Sequence, residues 1–333
     1  MSRTRVRVYL FTYRRNGTLV RSIESLRRQT FGGWVCEIHN DEPTNIFPAD
    51  HIASLGDARF TVVNHPANLG PTKTFNMAFG GCPEEFISIL EDDNWWEPDF
   101  LSTMLGAMDE HPEVQVAWAN LRIWRESAGD QWTDTGQTVW PAGDQAKLLH
   151  FPQYRQAYTA LHSNGAMLVR NSDLAQLRTP EAILFDFAET IRERAYRHPL
   201  LLVSLPLANF AQTVSTGRSA SFKYRQEHCL LLIDSFLQCV PISAAGAEKL
   251  WTEVRGNGYR SYLMLMYTGL CCRSSRKLLG KATALEWFNF ILYNIRHPSV
   301  LSGCLRAKTV YAELWHYLLE NTKARVREQE QRS

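Results

Sequence analysis

Three consecutive acids, Glu91, Asp92 and Asp93, follow directly on the apolar run "FISIL" at residues 86–90. Like charges side by side repel, and the end of a strand gives them little shelter. The triplet therefore invites a positive partner. Carboxylate oxygens are hard donors suited to Mg²⁺ or Mn²⁺, and Mg²⁺ is commonly held by one or two carboxylates together with substrate phosphates. A metal and diphosphate site is one reading; a solvated acidic turn that caps the next helix is the plainer one.

Other clusters carry compatible chemistry. In "LFTYRRNGT", Thr12 and Tyr13 precede Arg14 and Arg15, a set able to stack a base and neutralise phosphate, or simply a turn with exposed arginines. In "HNDEP", Asp41 is placed either to accept a hydrogen bond from a base or to close an Asx-turn. In "NHPANLGPTKTFNMA", Asn68 and Gly70 shape a tight turn and Lys73 rises on the first turn of a helix, where phosphate is favoured. Trp95 and Trp96 follow the acids; indole faces stack on ligand rings but more often pack in cores, and Trp96 is taken slightly ahead of Trp95 as a stacking platform.

The elements that must position these groups alternate between strand and helix. "VRVYLF" (6–11), "WVCEIHN" (34–40), "RFTVVN" (59–64), "EEFISIL" (84–90) and "VQVAWANLRIW" (114–124) read as strands. Between them lie helical patterns, among them one with Leu19, Ile23 and Leu26 on one face and one opening at Pro71. Such alternation predicts an α/β fold with a mostly parallel sheet flanked by helices, and ligands at the carboxyl ends of its strands. Thr12-Tyr13, Asn40-Asp41 and Glu91–Asp93 all fall at such ends.

Residues 125–160 lose the pattern and read as an irregular excursion, while "GAMLVR" (165–170) reads as a returning strand and "FDFAETIRERAYR" (185–197) as a helix. "PLLLVSLPLANF" (199–210) reads as a strand broken by Pro206. From 221 onward the chain reads as helices, including one continuous helix over "AEKLWTEVRGNGYRSYLMLMY". Two domains are expected, 1–220 and 221–333, with the boundary in "STGRSASFKYRQ".

An apolar content of 45% with 21% charged residues excludes disorder as the main theme, and a net charge of +2 is by itself too small to imply a nucleic-acid or membrane footprint. Seven cysteines without a C-x-x-C pair suit reduced thiols and a cytoplasmic setting. The opening residues do not read as a secretory signal, and no segment reaches the ~18 uninterrupted apolar residues of a spanning helix.

The ordered segments "FTYRRNG…SIESLRRQT", "HNDEP", "NHPANLGPTKTFNMA", "ILEDDNWWEPDFL" and "FDFAETIR" resemble the family 2 glycosyltransferases of GT-A fold, over about residues 5–220. The resemblance implies that Thr12, Tyr13 and Asp41 hold a nucleotide base, with Arg15 and Lys73 near the nucleotide. It implies Asp93 as ligand of a Mn²⁺ or Mg²⁺ ion that bridges the diphosphate, with Glu91 or Asp92 facing the ribose or the metal's waters. Asp186 becomes the base that deprotonates an acceptor hydroxyl, with Glu189 as its rival and Arg192 matching the family's arginine. "HSNGAML", with His162 and Asn164, falls where the acceptor pocket is shaped; His162 by itself reads as structural.

The implied reaction is inverting transfer of a sugar from a nucleotide-diphosphate donor, UDP favoured, to a hydroxyl of a saccharide or glycoconjugate in polysaccharide biosynthesis. Three departures stand beside it. Glu91 replaces the first acid of the family's D-x-D, Phe185 the acid ahead of the base, and Thr213 a histidine near the metal, where Gln212 or Arg218 is a substitute. They keep open a relative that binds nucleotide sugars or carbohydrate without turnover. The helical region is left three roles: covering the catalytic domain, joining copies into an oligomer, or docking at the inner face of a membrane.

Overall fold

The computed structural model describes residues 3–127, 131–181, 183–213, 221–256, 258 and 260–332. The chain divides into two compact units: residues 1–149, 162–185 and 196–217 form the first, and residues 150–161, 186–195 and 218–333 the second.

The first unit is built on one mixed sheet. β1 (Val6–Thr12), β2 (Trp34–Asn40), β3 (Phe60–Asn64) and β4 (Phe86–Glu91) run parallel in the order β3-β2-β1-β4. The connecting helices are α1 (Asn16–Arg27), α2 (Phe47–Leu55) and the short α3 (Pro71–Met77). After β4 come the two-residue β5 (Trp95–Trp96), α4 (Phe100–Glu110) and β6 (Val116–Ser127). Between β4 and β6 lies the antiparallel β9 (Met167–Arg170), the returning strand expected over 165–170. The sheet continues through β10 (Leu200–Gln212), parallel to β6, and ends at β5.

One face of the parallel strands is fully buried through Val6, Val8, Leu10, Cys36, Ile38, Phe86 and Leu90, and the other carries the buried Tyr9, Phe11, Ile87 and Ile89 beside the Arg7–Glu37 ion pair. Leu19, Ile23 and Leu26, spaced along one face of α1, enter the same core, as do Leu101, Met104 and Met108 of α4. Each such side chain contributes about 1.5–3 kcal/mol on burial.

Three local expectations give way. Residues 125–160 are more regular than they read: β7 (Gln131–Thr138) pairs antiparallel with the end of β6, and β8 (Ala146–Leu149) with β10. Pro206 does not break its strand, because β10 absorbs it in a register shift between Val203 and Ala208. The long helix expected in the second unit is two, α7 (Ala244–Gly256) and α8 (Leu263–Cys271), since Gly258 takes φ +119, a value outside helical geometry.

The second unit is helical among its described residues. It comprises α5 (Phe185–Glu193, from Asp186 onward), α6 (Phe222–Cys239), α7, α8, α9 (Ala284–Arg296), α10 (Pro298–Val310) and α11 (Ala312–Arg332). α6 is its axis, buried from Gln226 to Leu237 and packed by α8, α10 and α11.

Candidate active site

Parallel pairing fixes the geometry of the strand tips. Thr12 lies opposite Asn40, and Phe11 opposite Glu91, so β1 delivers its Thr-Tyr pair between the ends of β2 and β4. The Asp41 amide then donates to the Thr12 carbonyl at 3.0 Å. Thr12, Tyr13, Arg15, Asp41 and Glu91–Asp93 are thus brought to one edge of the sheet. Thr12 is buried, whereas Tyr13 is 41% exposed with the Arg14 guanidinium over its ring at 4.8 Å.

The three acids have three environments. Glu91 Oε2 accepts from Asn94 Nδ2 at 2.6 Å. Asp92 is buried and accepts from the Tyr13 amide at 3.1 Å. Asp93, half-buried, forms an ion pair with Arg15, whose guanidinium also lies 3.8 Å from Asp92. Burial, and next the negative charge of Asp93, push the Asp92 carboxyl up to about 7 against the pull of Arg15.

The turn that carries the acids is clamped from α1, which gives the "SIESLRRQT" motif a physical meaning. Ser22 Oγ donates to the Asn94 carbonyl at 2.6 Å, and Arg21 to the Asp93 carbonyl at 2.8 Å. Gln29 donates to the Glu97 carbonyl at 2.8 Å and accepts from the Leu101 amide at 2.9 Å, while Thr30 donates to Asp99. On the far side stands Gly165, beside the buried Asn164. A Cβ at Gly165 would meet Glu91 Oε2 at 2.9 Å and Asn94 Nδ2 at 3.0 Å, so a larger residue there would push both side chains aside.

Asp41 serves a loop. Its Oδ1 accepts from His65 at 2.9 Å and from the Leu69 amide at 2.8 Å, and its Oδ2 from the Gly70 amide at 3.0 Å. This fixes the segment that leaves Asn68 and Lys73 exposed. Behind it runs a buried chain that sequence reasoning missed, from Glu37 through His39 and His65 to Asp41, with contacts of 2.8, 3.0 and 2.9 Å. Burial holds His39 below the ordinary histidine value. The sequence held a signal for it, since His39 is the penultimate residue of β2 and His65 directly follows the end of the adjacent β3.

Trp96 corrects its expectation. It is 2% exposed, stacked on Phe100 at 4.2 Å, and donates to the Gly165 carbonyl at 2.8 Å, so its indole packs as a core side chain and not as an open platform. Trp95 is half-buried beneath the Arg21 guanidinium at 3.8 Å. A cavity of about 460 Å³ lies alongside, lined by Arg21, Glu24, Ser25, Arg28, Trp95, Trp96, Glu97 and Pro98; it borders the acidic turn without including Glu91, Asp92 or Asp93.

Asp186 belongs to the second unit, at the start of α5, where its Oδ2 lies 3.3 Å from Arg225 Nη2 of α6. Glu189 is half-buried and Arg192 fully buried in the same helix. Gln212 is exposed at the end of β10 and Thr213 half-buried after it; Arg218 lies outside the described residues.

Among the described residues no group of three or more His, Cys, Asp and Glu side chains is arranged to hold a metal ion. A magnesium-type ion that takes one or two carboxylates and completes its shell with phosphate and water asks for less. Asp93 and Asp92 fit that demand: both are hard donors, and a divalent charge beside them would return Asp92 to its ionised form.

Residues 8–166 match the family model described as "Glycosyl transferase family 2". WcaA of Escherichia coli K12, described as a candidate colanic acid biosynthesis glycosyl transferase, is 29% identical over 116 residues, 34% of this chain and 42% of that protein. EpsH of Bacillus subtilis 168, described as a candidate glycosyltransferase, is 29% identical over 119 residues, 35% of this chain and 31% of that protein. The matched stretch thus spans less than half of either relative. Residues 1–349 of S. aureus TarS in complex with UDP share the fold at a TM-score of 0.59 and 15% identity, covering 99% of this chain and 92% of that one. The same fragment with UDP-GlcNAc gives a TM-score of 0.56 at 15% identity, covering 98% and 92%.

Proposed function

We propose that this chain, whose residues 8–166 match the family 2 glycosyltransferase model, transfers a sugar from a nucleotide-diphosphate donor to a hydroxyl of a saccharide or glycoconjugate, in polysaccharide-type biosynthesis. The observation that carries the reading is the gathering of Tyr13, Arg15 and the Glu91–Asp93 triplet at adjacent tips of β1 and β4. A UDP-sugar is the favoured donor, in keeping with the UDP and UDP-GlcNAc complexes of the TarS fragment.

In this reading Tyr13 stacks the base, and Arg15 offers its guanidinium to phosphate. Asp93, with Asp92 beside it, would hold Mn²⁺ or Mg²⁺, which supplies positive charge against the charge that grows on a leaving diphosphate. Asp186 takes the acceptor's proton as the acceptor oxygen bonds to the anomeric carbon opposite the departing nucleoside diphosphate, which inverts that centre. Arg225 holds Asp186 by Oδ2 and leaves Oδ1 for the proton.

The test is donor turnover with a panel of UDP-sugars and Mn²⁺, with and without acceptor saccharides. Asp93→Ala and Asp186→Ala are each expected to lower turnover by roughly 10²-fold or more. A second reading, a carbohydrate or nucleotide-sugar binder without turnover, is favoured by the Arg15–Asp93 ion pair and by Phe185 and Thr213 at the family's carboxylate and histidine positions. Tight UDP-sugar binding with no turnover across the panel would establish it instead.

A further inference from the structure

Helix α9 buries one side chain, Phe290. Leu285, Phe288, Ile291 and Ile295 are 67, 62, 55 and 72% exposed. Steps of three, three and four residues put them on one face. Single exposed apolar side chains are ordinary; four along one helix face form a surface that something covers.

Charge says what. Residues 221–333 hold 16 Lys and Arg against 9 Asp and Glu, whereas residues 1–220 hold 20 against 25. The imbalance is steepest around the stripe: from residue 254 to residue 312 the sequence carries nine Lys and Arg and a single acid, Glu286, and of the nine Lys281 pairs with Glu248 and Lys308 with Asp234 outside that span. Arg255 engages both oxygens of that acid, at 2.8 and 2.9 Å. Arg273, Arg276 and Lys277 are exposed in the segment ahead of α9, and Arg296 is exposed in its last turn. A second copy laid on this face would bring like charge against like. An exposed apolar stripe with exposed basic side chains just before it and at its end along the chain is instead the pattern of a helix that lies in the plane of an anionic membrane.

We propose that α9 docks the chain on a bilayer of acidic phospholipid, with the Leu285–Ile295 stripe entering the headgroup boundary and the flanking basic residues meeting the headgroups. The contact is peripheral: no described helix is long and apolar enough to cross a membrane. The proposal does not depend on sugar transfer, and its test makes no use of it.

The full chain is sedimented with vesicles of phosphatidylcholine alone and of phosphatidylcholine with about one third phosphatidylglycerol. Binding is expected to the mixed vesicles at low salt and to weaken as salt rises. Phe288→Ser with Ile295→Ser should lower partitioning by roughly tenfold or more, and Arg276→Ala with Lys277→Ala by about tenfold. All four sites are exposed, so the circular dichroism and melting curve of each variant should match those of the parent. The proposal falls if the parent ignores anionic vesicles at low salt, or if Phe288→Ser with Ile295→Ser binds them as the parent does. It falls equally if ultracentrifugation shows a dimer that those substitutions dissolve while vesicles bind nothing, which would assign the stripe to a second copy.

Discussion

Asp92, just past the tip of β4, and Asp234, inside α6, are both buried aspartates, and the protein treats them in opposite ways. Burial works to raise the Asp234 carboxyl, but Lys308 at 2.5 Å, Ser274, Ser275 at 3.0 Å and Gln238 at 3.1 Å together hold it below the ordinary value. Asp92 has the Tyr13 amide and a guanidinium at 3.8 Å, and burial with Asp93 beside it prevails. The helical unit neutralises its interior charge from within, and the sheet edge leaves negative charge unbalanced. Unbalanced charge at a strand tip is what a binding site offers a cationic partner, whereas a fully matched charge is a structural element.

The largest effect should come from unmatching the matched aspartate. Lys308→Ala leaves Asp234 ionised and buried with neutral donors only, and should cost about 3 kcal/mol in denaturant unfolding. A carboxyl held below its ordinary value stabilises the fold at pH above about 4, and that contribution disappears on acidification. The deficit of Lys308→Ala should therefore shrink toward pH 3. A loss well under about 1 kcal/mol at neutral pH would show that the two aspartates do not differ as argued.

Neutralising the unmatched aspartate should do the reverse. The raised carboxyl of Asp92 is protonated in the fold below about 7, so the fold is relatively most stable at acid pH and loses that advantage as pH rises from about 4 to about 7. Asp92→Asn keeps an acceptor for the Tyr13 amide and removes the charge. In metal-free buffer it should stabilise by roughly 2 kcal/mol at pH 8 and hardly at all at pH 4. A gain that ignores pH would place its origin elsewhere than in charge.

The difference between the two regions was only partly legible in the sequence. The parallel strands announced themselves because burial on both faces forces near-continuous apolar runs, and a strand that runs straight into acids places those acids at its tip. β7 was illegible because its residues, Gln131 to Thr138, are polar on both faces and lack the alternation that marks a half-buried strand. Trp95 and Trp96 are equivalent as letters; β5, two residues long, turns Trp96 into the core and leaves Trp95 beside α1. Nothing in the order of letters shows Asn94 engaging Glu91, or His65 engaging Asp41, since both bonds depend on where a loop folds back. The exposed face of α9 was equally hidden: its apolar spacing reads as a buried stripe until the packing shows that Phe290 alone is covered.

The smallest and most discriminating test concerns Arg15, the cation already at the sheet edge. It pairs with Asp93 and stands off Asp92, so it partly offsets the charge that a divalent ion would meet. If Arg15 competes with the ion for Asp93, Arg15→Ala should tighten Mn²⁺ binding about fivefold in calorimetry without nucleotide, the scale of one partly exposed ion pair. With UDP present the direction should reverse, because the freed guanidinium is then the partner of phosphate. The two opposed shifts from one substitution separate a side chain that exchanges Asp93 for a ligand from one that only braces the turn. Equal weakening in both titrations would mean that Arg15 holds the acidic turn in place, and the sheet edge would then resemble Asp234 in having its charge matched from within.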